Sequence, residues 1–371
     1  MEDLSKISVV LPSLDPDEKL VQVIDGLLEY GFTDIILVND GSKPENLHYF
    51  TEQAEKHPEI TLLHHEVNKG KGAALKNAFR WFLANRPEGK GVVTVDGDNQ
   101  HHPEDTRACA LHMLRTGHCV LGCRDFSQED VPPRSRFGNR TTSLVFKFFC
   151  GMTLSDTQTG LRALPTKALK ILVDVSGDRF EYETNMLLAF KQHHMRYDEV
   201  KIRTVYIEEN KSSHFRVLHD SWRIYKLILG YFFRYTLSSL ISCVLEIWLV
   251  AVLLAWIFPD TLPDALSGAL ATAGGRVTSS VLNFYLNKKL VFHSSANTGV
   301  AMVRYIMLAI PQMLLQMLLT TGLGALFGVD ADGSFLYMLL YCTVMVVLFV
   351  FSYTIQQRWV FAPKTKGQEV E

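Results

Sequence analysis

The chain has 371 residues, of which 47% are hydrophobic and 20% charged, and its formal net charge is −2. That near-neutral balance excludes a nucleic-acid binder working by bulk positive charge, and the length allows two domains with a sizeable core. The average conceals a division: residues 1 to 235 carry charges throughout, whereas beyond Tyr235 the chain is mostly apolar in long runs.

In chain order, ISVVLPS (7–13) is a short apolar run that reads as a buried strand. DEKLVQVIDGLLEYG (17–31) has helical spacing, with Leu20, Ile24, Leu27 and Leu28 on one face and Gly31 as a stop. DIILVND (34–40) is a second strand, GSKPEN a turn and helix start, and ITLLHH (60–65) a third strand. GKGAALKNAFRWFLANR (70–86) is an amphipathic helix, GVVTVD (91–96) a fourth strand, and HCVLGCR a fifth. This alternation predicts an α/β fold with a mainly parallel, Rossmann-like sheet covered by helices on both faces. Ligands in such sheets bind at the carboxyl ends of strands. Pro12-Ser13, Asn39-Asp40 and Asp96-Gly97-Asp98 all fall at those ends and are expected to share one crevice.

Four apolar segments follow, about 236–258, 265–287, 303–327 and 335–357, the second being the weakest. Each is near the roughly 20 residues that span a bilayer as a helix, so a bundle of four transmembrane helices is predicted. Lys and Arg gather before the first span, between the second and third, and after the fourth, while PDTLPDALSG and GVDADGS carry none. The positive-inside rule then puts both termini in the cytoplasm. No charged region followed by an apolar stretch opens the sequence, which agrees with a cytosolic N-terminal half. The expected product is a multi-pass protein of the cytoplasmic membrane, divided into 1–220, a juxtamembrane helix over 221–235, and 236–371. The six cysteines show no CxxC pair, which argues against zinc and for thiols in a reducing compartment.

The spans repeat. FFRYTLSS (232–239) resembles MVRYIMLA (302–309), and NFYLNKKLVF (283–292) aligns without gaps to SYTIQQRWVF (352–361). A shift close to 70 residues in both matches implies a helical hairpin duplicated in one orientation. Glu246 and Arg276 lie within the first two spans at similar expected depth. Unpaired, each would cost about 2.5–3.5 kcal/mol, so an ion pair or a shared polar cavity is predicted, serving either structure or headgroup passage.

The stretch VVTVDGDNQHHPED carries the chemistry. If extended, it points Asp96, Asp98 and Gln100 the same way, because strand side chains alternate. Three oxygen ligands suit Mg²⁺ or a similar hard cation, which shares its shell with phosphates and water. A diphosphate-bearing ligand is implied. The bland alternative is a surface turn rich in Asp, Gly and Asn.

LPSLDPDEKL, VNDGS, NKGKGAAL, VDGDNQHHPED, GCRD, RSRFGNR and DTQTGLRAL occur in the order and spacing of family 2, GT-A-fold polyprenyl-phosphate glycosyltransferases. The chain therefore resembles dolichol-phosphate mannose synthase-like enzymes over about residues 5 to 215, and its membrane half resembles GtrA-like four-helix domains. The resemblance implies Mg²⁺ or Mn²⁺ held by Asp96, Asp98 and Gln100 against a donor diphosphate. It implies that Asp40 accepts from the base, beside Asn39 where the family usually has Asp. Pro12, Ser13 and Asp17 would line the nucleotide pocket, although LDPDE replaces the usual Tyr-Asn-Glu. Lys71 would contact nucleotide or phosphate, and its place at a helix N-terminus, unfavourable for a cation, favours such a function over a solvated lysine.

The same resemblance makes Arg124 and Arg136 candidates for the acceptor phosphate, which guanidinium forks match. Arg134 and Arg140 lie close by in what could also be a solvated basic loop. Asp156, with Gln158 and Arg162 in DTQTGLRAL, would sit near the reaction centre, as a base or as a group orienting an Arg or the sugar. Glu183 would be on a helix near the sugar, and Lys211 and His214, in NKSSHF, on a loop closing over nucleotide or phosphates. NRTTSLVFKFFCGM (139–152) and SWRIYKLILGYFFRY (221–235) read as interfacial helices, though Phe146, Phe148 and Phe149 could equally pack on the sheet.

Inverting transfer of a monosaccharide from a nucleotide sugar to polyprenyl phosphate is the expected activity, with membrane lipid as surroundings, no nucleic acid, and a homo-oligomer possible. UDP-hexose is preferred to GDP-mannose. The competing readings are a polysaccharide- or glycolipid-extending transferase, which would be expected to carry an acceptor motif such as QxxRW, and a lipid-sugar flippase with a nucleotide-sugar-binding domain; QQRW (356–359) stands at the cytosolic end of the last span, far from the catalytic half, and reads as an anchor.

Overall fold

The computed structural model describes residues 4–128, 131, 133–203, 217–257, 263–294, 296–329 and 335–362. The chain forms two compact units, residues 1–147 with 152–226, and residues 148–151 with 227–371.

The first unit is built on a seven-stranded sheet in the order β3-β2-β1-β4-β6-β5-β7. The strands are β1 (Ile7–Ser13), β2 (Ile35–Asp40), β3 (Ile60–His65), β4 (Gly91–Thr94), β5 (Cys119–Arg124), β6 (Arg162–Pro165) and β7 (Tyr197–Ile202). β2 and β4 are buried at every position, as apolar runs covered on both faces must be. All pairings are parallel except those of β6, which runs antiparallel between β4 and β5. Helix α1 (Glu18–Glu29) turns Leu20, Val23, Ile24 and Leu27 into the core. Helix α2 (His48–Lys56) follows β2, and α3 (Lys71–Asn85) buries Ala74, Leu75, Ala78, Phe79 and Phe82. Helix α4 (Pro103–Thr116) opens on a His102 cap and closes on Gly117 at φ 66°, the left-handed cap that glycine adopts without penalty. Then come α5 (Pro133–Val145), α6 (Thr166–Leu172) and α7 (Glu181–Gln192).

The antiparallel β6 is what periodicity did not reveal. It returns the chain beside β4, with Arg162 opposite Thr94. The DTQTGLRAL motif is thereby brought to the carboxyl end of β4.

In the second unit, α8 (Val217–Val252) is one helix through the predicted juxtamembrane segment and the first span. It is followed by α9 (Asp264–Leu286), α10 (Thr298–Phe327) and α11 (Phe335–Ile355). Among the described residues three helices are long and apolar enough to cross a membrane: Phe232–Ile257, Thr298–Phe327 and Phe335–Val360. Four helices stand where four spans were expected, and α9 does not reach the hydropathy of the other three. α9 is a full-length helix, but Gly, Ser, Thr and Arg276 dilute its hydropathy.

The duplication is visible in the backbone. Five-residue π-helical turns occur at Asn287–Val291 and at Gln356–Val360, which are aligned positions of the repeat. The two halves meet there: Asn287 Nδ2 donates to Gln356 Oε1 at 3.0 Å, and Phe292 stacks on Phe361 with ring centroids 5.2 Å apart. Gln356 Nε2 donates to Tyr235 Oη and Ser352 Oγ, each at 3.1 Å. Such internal satisfaction is what a buried amide needs where no water competes. QQRW is absorbed by this packing, with Gln356 buried and the Trp359 carbonyl accepting from Arg304 at 2.9 Å. The predicted Glu246–Arg276 pair is present, Arg276 Nε lying 3.2 Å from Glu246 Oε1, and Ser279 Oγ donates to Glu246 Oε2 at 2.8 Å. Of the three phenylalanines in question, Phe146 is buried, Phe148 is exposed, and Phe149 packs with Phe232 and Tyr353 of the second unit.

Candidate active site

The parallel register places Ser13 opposite Asn39, so the ends of β1 and β2 are side by side. Their loops are laced together. Asp15, at φ 48°, accepts from Lys43 N at 2.8 Å and Asn46 Nδ2 at 3.3 Å, while its own N–H donates to Ser42 Oγ at 2.8 Å. Asn39 Oδ1 accepts from Ser42 N at 2.9 Å, and its amide nitrogen lies 2.8 Å from His64 Nδ1. Pro12 is buried at the end of β1. Asp17 caps α1 by accepting from Lys19 N at 2.9 Å, and it is exposed.

Asp40 is buried, and protein donors occupy both its oxygens. Oδ1 accepts from Lys69 N at 3.0 Å and contacts His65 Nδ1 at 2.8 Å; Oδ2 accepts from Gly70 N at 2.8 Å. In this structure Asp40 clamps the loop that leads into α3. Gly70 there has φ 100°, and a Cβ would run into the Asp178 carbonyl, so only glycine makes the turn. Ala73 N donates to that same Asp178 carbonyl at 2.9 Å. Lys71, the first residue of α3, is thus held by backbone contacts on both sides.

Its ammonium joins two carboxylates. Lys71 Nζ lies 2.7 Å from Asp96 Oδ1 and 3.0 Å from Glu183 Oε1, Glu183 coming from the first turn of α7. Burial alone would lower the lysine pKa, but the two carboxylates outweigh it and raise it. For Asp96, burial is likewise outweighed by Lys71 and His101, and the carboxyl is held well below the usual range. Asp98 moves the other way, pushed up by burial and by the charge on Asp96.

The three ligands predicted from strand alternation are arranged differently. β4 ends at Thr94, the chain turns at Gly97-Asp98, and Asn99 adopts φ 60°. Period-two alternation therefore does not set the directions of Asp96, Asp98 and Gln100; a turn does. Asp98 Oδ1 accepts from Gln100 N at 3.1 Å, and Asn99 Nδ2 donates to Gln22 at 2.9 Å. Behind the turn, Thr94 Oγ1 donates to the Gly160 carbonyl at 2.7 Å, and a Cβ on Gly160 would strike the Asp96 carboxylate. Arg162 is buried at 1% exposure; Nη1 donates to the Glu183 carbonyl at 2.7 Å and Nε to that of Thr159 at 3.1 Å, while Nη2 has no hydrogen-bond partner among the described residues.

A second cluster joins β5 to the segment before β6. Asp156, fully buried, receives Arg124 Nε at 2.7 Å and Nη2 at 3.2 Å, with the backbone N–H of Arg124 at 3.3 Å and of Gln158 at 3.0 Å. Asn139 of α5 holds that segment, donating to the Ser155 carbonyl at 2.7 Å and accepting from Thr157 N at 3.3 Å. Arg136 is exposed on α5 and donates to the Gln128 carbonyl at 2.7 Å, apart from the Arg124–Asp156 pair. The Gln158 side chain is exposed. Lys211 and His214 lie outside the described residues.

The donors around Asp96 and Asp98 fit a hard divalent cation. The two carboxylates are near enough to perturb each other, the missing Cβ at Gly160 leaves Asp96 room, and the His101 imidazole stands 3.7 Å from Asp96 Oδ2; among the described residues no group of three or more His, Cys, Asp or Glu side chains is gathered to hold a metal, so phosphate and water would complete its shell.

Residues 8–170 match the family described as Glycosyl transferase family 2, and residues 234–361 match GtrA/DPMS, transmembrane domain. The chain joins a family 2 glycosyltransferase domain to a GtrA/DPMS transmembrane domain. A UDP-N-acetylglucosamine–dolichyl-phosphate N-acetylglucosaminyltransferase of Methanococcus voltae is 26% identical over 246 residues, 60% of this chain and 95% of that protein. An undecaprenyl-phosphate 4-deoxy-4-formamido-L-arabinose transferase of Yersinia pestis is 28% identical over 171 residues, 44% of this chain and 49% of that protein. Glucosyl-3-phosphoglycerate synthase from Mycobacterium tuberculosis, solved with Mn²⁺ and UDP, superposes with a TM-score of 0.47 at 17% identity, covering 60% of this chain and 78% of that one.

The glycosyltransferase domain also uses residues that sequence reasoning passed over. His65 backs Asp40, and Asn77 Nδ2 lies 3.1 Å from the other His65 nitrogen. His101 is buried with Nε2 3.7 Å from Asp96 Oδ2. Its place directly after Gln100 was the available signal. Gly160 had none, since its requirement comes from a carboxylate 64 positions away in the chain (160 − 96).

Proposed function

We propose that the protein transfers a monosaccharide from a nucleotide diphosphate sugar to a polyprenyl phosphate, with inversion, at the cytoplasmic face of its membrane. The observation that carries this reading is the meeting of Asp96, Asp98, Lys71 and Glu183 at one strand end, in a chain that has membrane-spanning helices of its own. The named activities of the dolichyl- and undecaprenyl-phosphate transferases above support the acceptor class. The Lys and Arg distribution between spans supports cytosolic termini.

In the mechanism the acceptor phosphate attacks the anomeric carbon and the nucleoside diphosphate leaves, one displacement giving one inversion. Mg²⁺ or Mn²⁺, which Asp96 and Asp98 would hold with Gln100 close by, supplies neutralisation of charge on the departing diphosphate. Lys71 adds a cation beside that charge. Glu183 and Arg162 border the space for the sugar, and the loops of Ser13, Asp15 and Asn39 border that for the nucleoside. Arg124 receives the acceptor phosphate, its guanidinium plane set by Asp156. Asp156 is an orienting group here: four N–H contacts already engage it, and a phosphomonoester with a second pKa near about 6 is largely dianionic at neutral pH without a base.

The test is transfer of radiolabelled sugar from UDP-glucose, UDP-N-acetylglucosamine and GDP-mannose to a short polyprenyl phosphate by the purified full-length protein. Labelled lipid that disappears with EDTA and with Asp98→Ala is expected. No transfer from any nucleotide sugar, or transfer indifferent to both treatments, would overturn the reading.

A further inference from the structure

We infer that Lys71 is a resident counter-ion of the metal site, one that holds the Asp96 carboxylate until a donor diphosphate arrives and then hands it over to the divalent cation. The inference rests on the proposed metal-dependent transfer and adds an order to it. The donor and the metal would bind together with positive coupling, and metal alone would bind weakly.

Three observations carry it. First, the ammonium contacts Asp96 Oδ1 at 2.7 Å, so it occupies one of the two oxygens that Asp96 could offer a cation. Second, it has a second seat ready, Glu183 Oε1 at 3.0 Å, on a different element from Asp96. Leaving Asp96 therefore does not strand a half-buried cation. Third, the backbone around Lys71 is pinned. Asp40 holds the N–H groups of Lys69 and Gly70, and the Asp178 carbonyl holds that of Ala73. Only the side chain can move, and rotation about its four stem bonds suffices to carry the ammonium from Asp96 toward an incoming phosphate.

The electrostatics give the order. Asp96, Asp98 and Glu183 share the site with Lys71, the buried Arg162 and the His101 imidazole 3.7 Å from Asp96 Oδ2, and a divalent cation entering beside Lys71 meets a like charge. A diphosphate changes the balance, because its oxygens offer both cations ligands at once. The ammonium then neutralises phosphate, Asp96 is released to the metal, and each partner improves the site for the other. A purely structural lysine would instead stiffen the metal carboxylate and help metal binding in every state.

The two roles have opposite signs in one measurement. Mn²⁺ binding to the detergent-purified full-length protein, without nucleotide, is followed by EPR for wild type, Lys71→Met, Lys71→Arg, Glu183→Gln and the double variant. Lys71→Met is expected to bind Mn²⁺ about tenfold more tightly than wild type, and Lys71→Arg about as weakly as wild type. Glu183→Gln is expected to weaken binding several-fold, because the ammonium then rests on Asp96 alone. In the double variant that loss is expected to vanish, which separates action through Lys71 from direct metal ligation by Glu183. Adding UDP should tighten Mn²⁺ binding to wild type and shrink its difference from Lys71→Met. Unchanged or weaker Mn²⁺ binding by Lys71→Met overturns the hand-over while leaving the metal site intact. Absence of Mn²⁺ binding by every variant overturns the metal site and the hand-over together. Should Lys71→Met fail to fold, Lys71→Gln is read in the same way.

Discussion

Gly160→Ala probes the proposed metal carboxylate without replacing any charged group. A Cβ built on Gly160 stands 2.8 Å from Asp96 Cγ, 3.0 Å from Oδ1 and nearer still to Oδ2. Non-bonded carbons settle at about 3.5–4.0 Å, so one side must retreat by about 1 Å. Gly160 resists, because its carbonyl accepts Thr94 Oγ1 at 2.7 Å and the following residues pair with β4 and β5. Asp96 therefore moves, which disturbs its contact with Lys71 and the carboxylate pair proposed to hold the metal. Outer-shell changes cost about 10–100-fold in metal affinity, and a displacement of about 1 Å in a reacting array costs about 100-fold in rate, equivalent to about 2.7 kcal/mol. Gly160 has no left-handed φ, so alanine brings no backbone strain, and the melting temperature should fall by only a few degrees. EPR titration with Mn²⁺ and the radiolabel assay would be run on the same preparation. Mn²⁺ affinity and transfer both within threefold of wild type would refute the claim that this glycine exists to seat Asp96.

Asp156→Ala leaves the Arg124 guanidinium and two backbone N–H groups without their acceptor, and breaking a buried pair costs about 3–5 kcal/mol; chemical denaturation should show that loss, and a change below about 1 kcal/mol would contradict the geometry. Asp40→Ala removes the acceptor of two backbone N–H groups, so amide exchange at Lys69 and Gly70 should accelerate selectively, at about 1–3 kcal/mol per orphaned donor; unchanged protection there would deny the clamp. Burial pushes the thiols of Cys109, Cys119 and Cys123 up to about 12. Because those pKa values are raised, the thiolate fraction at pH 8 is about one in ten thousand, and mass spectrometry after iodoacetamide should find these three modified only once the protein is unfolded.

The residues alone determined the strand-helix alternation, the strand ends that carry Ser13 and Asp40 and lead to Asp96, the duplicated hairpin and the Glu246–Arg276 pair. Each of these is encoded locally, because burial writes a period of two or 3.6 into neighbouring positions, and an unpaired charge in an apolar helix demands a partner within reach. α9 is legible for the same reason: helical spacing survives the small residues and Arg276 that lower its hydropathy. Only the tertiary structure decided the rest. The antiparallel return of β6 puts Gly160 against Asp96, α7 brings Glu183 to Lys71, and Asp156 meets Arg124 across two segments. The bend at Asn99 replaces strand alternation around Asp98. These arrangements join residues far apart in the chain through single contacts of charge and shape, and no periodic pattern along the chain records a contact of that kind.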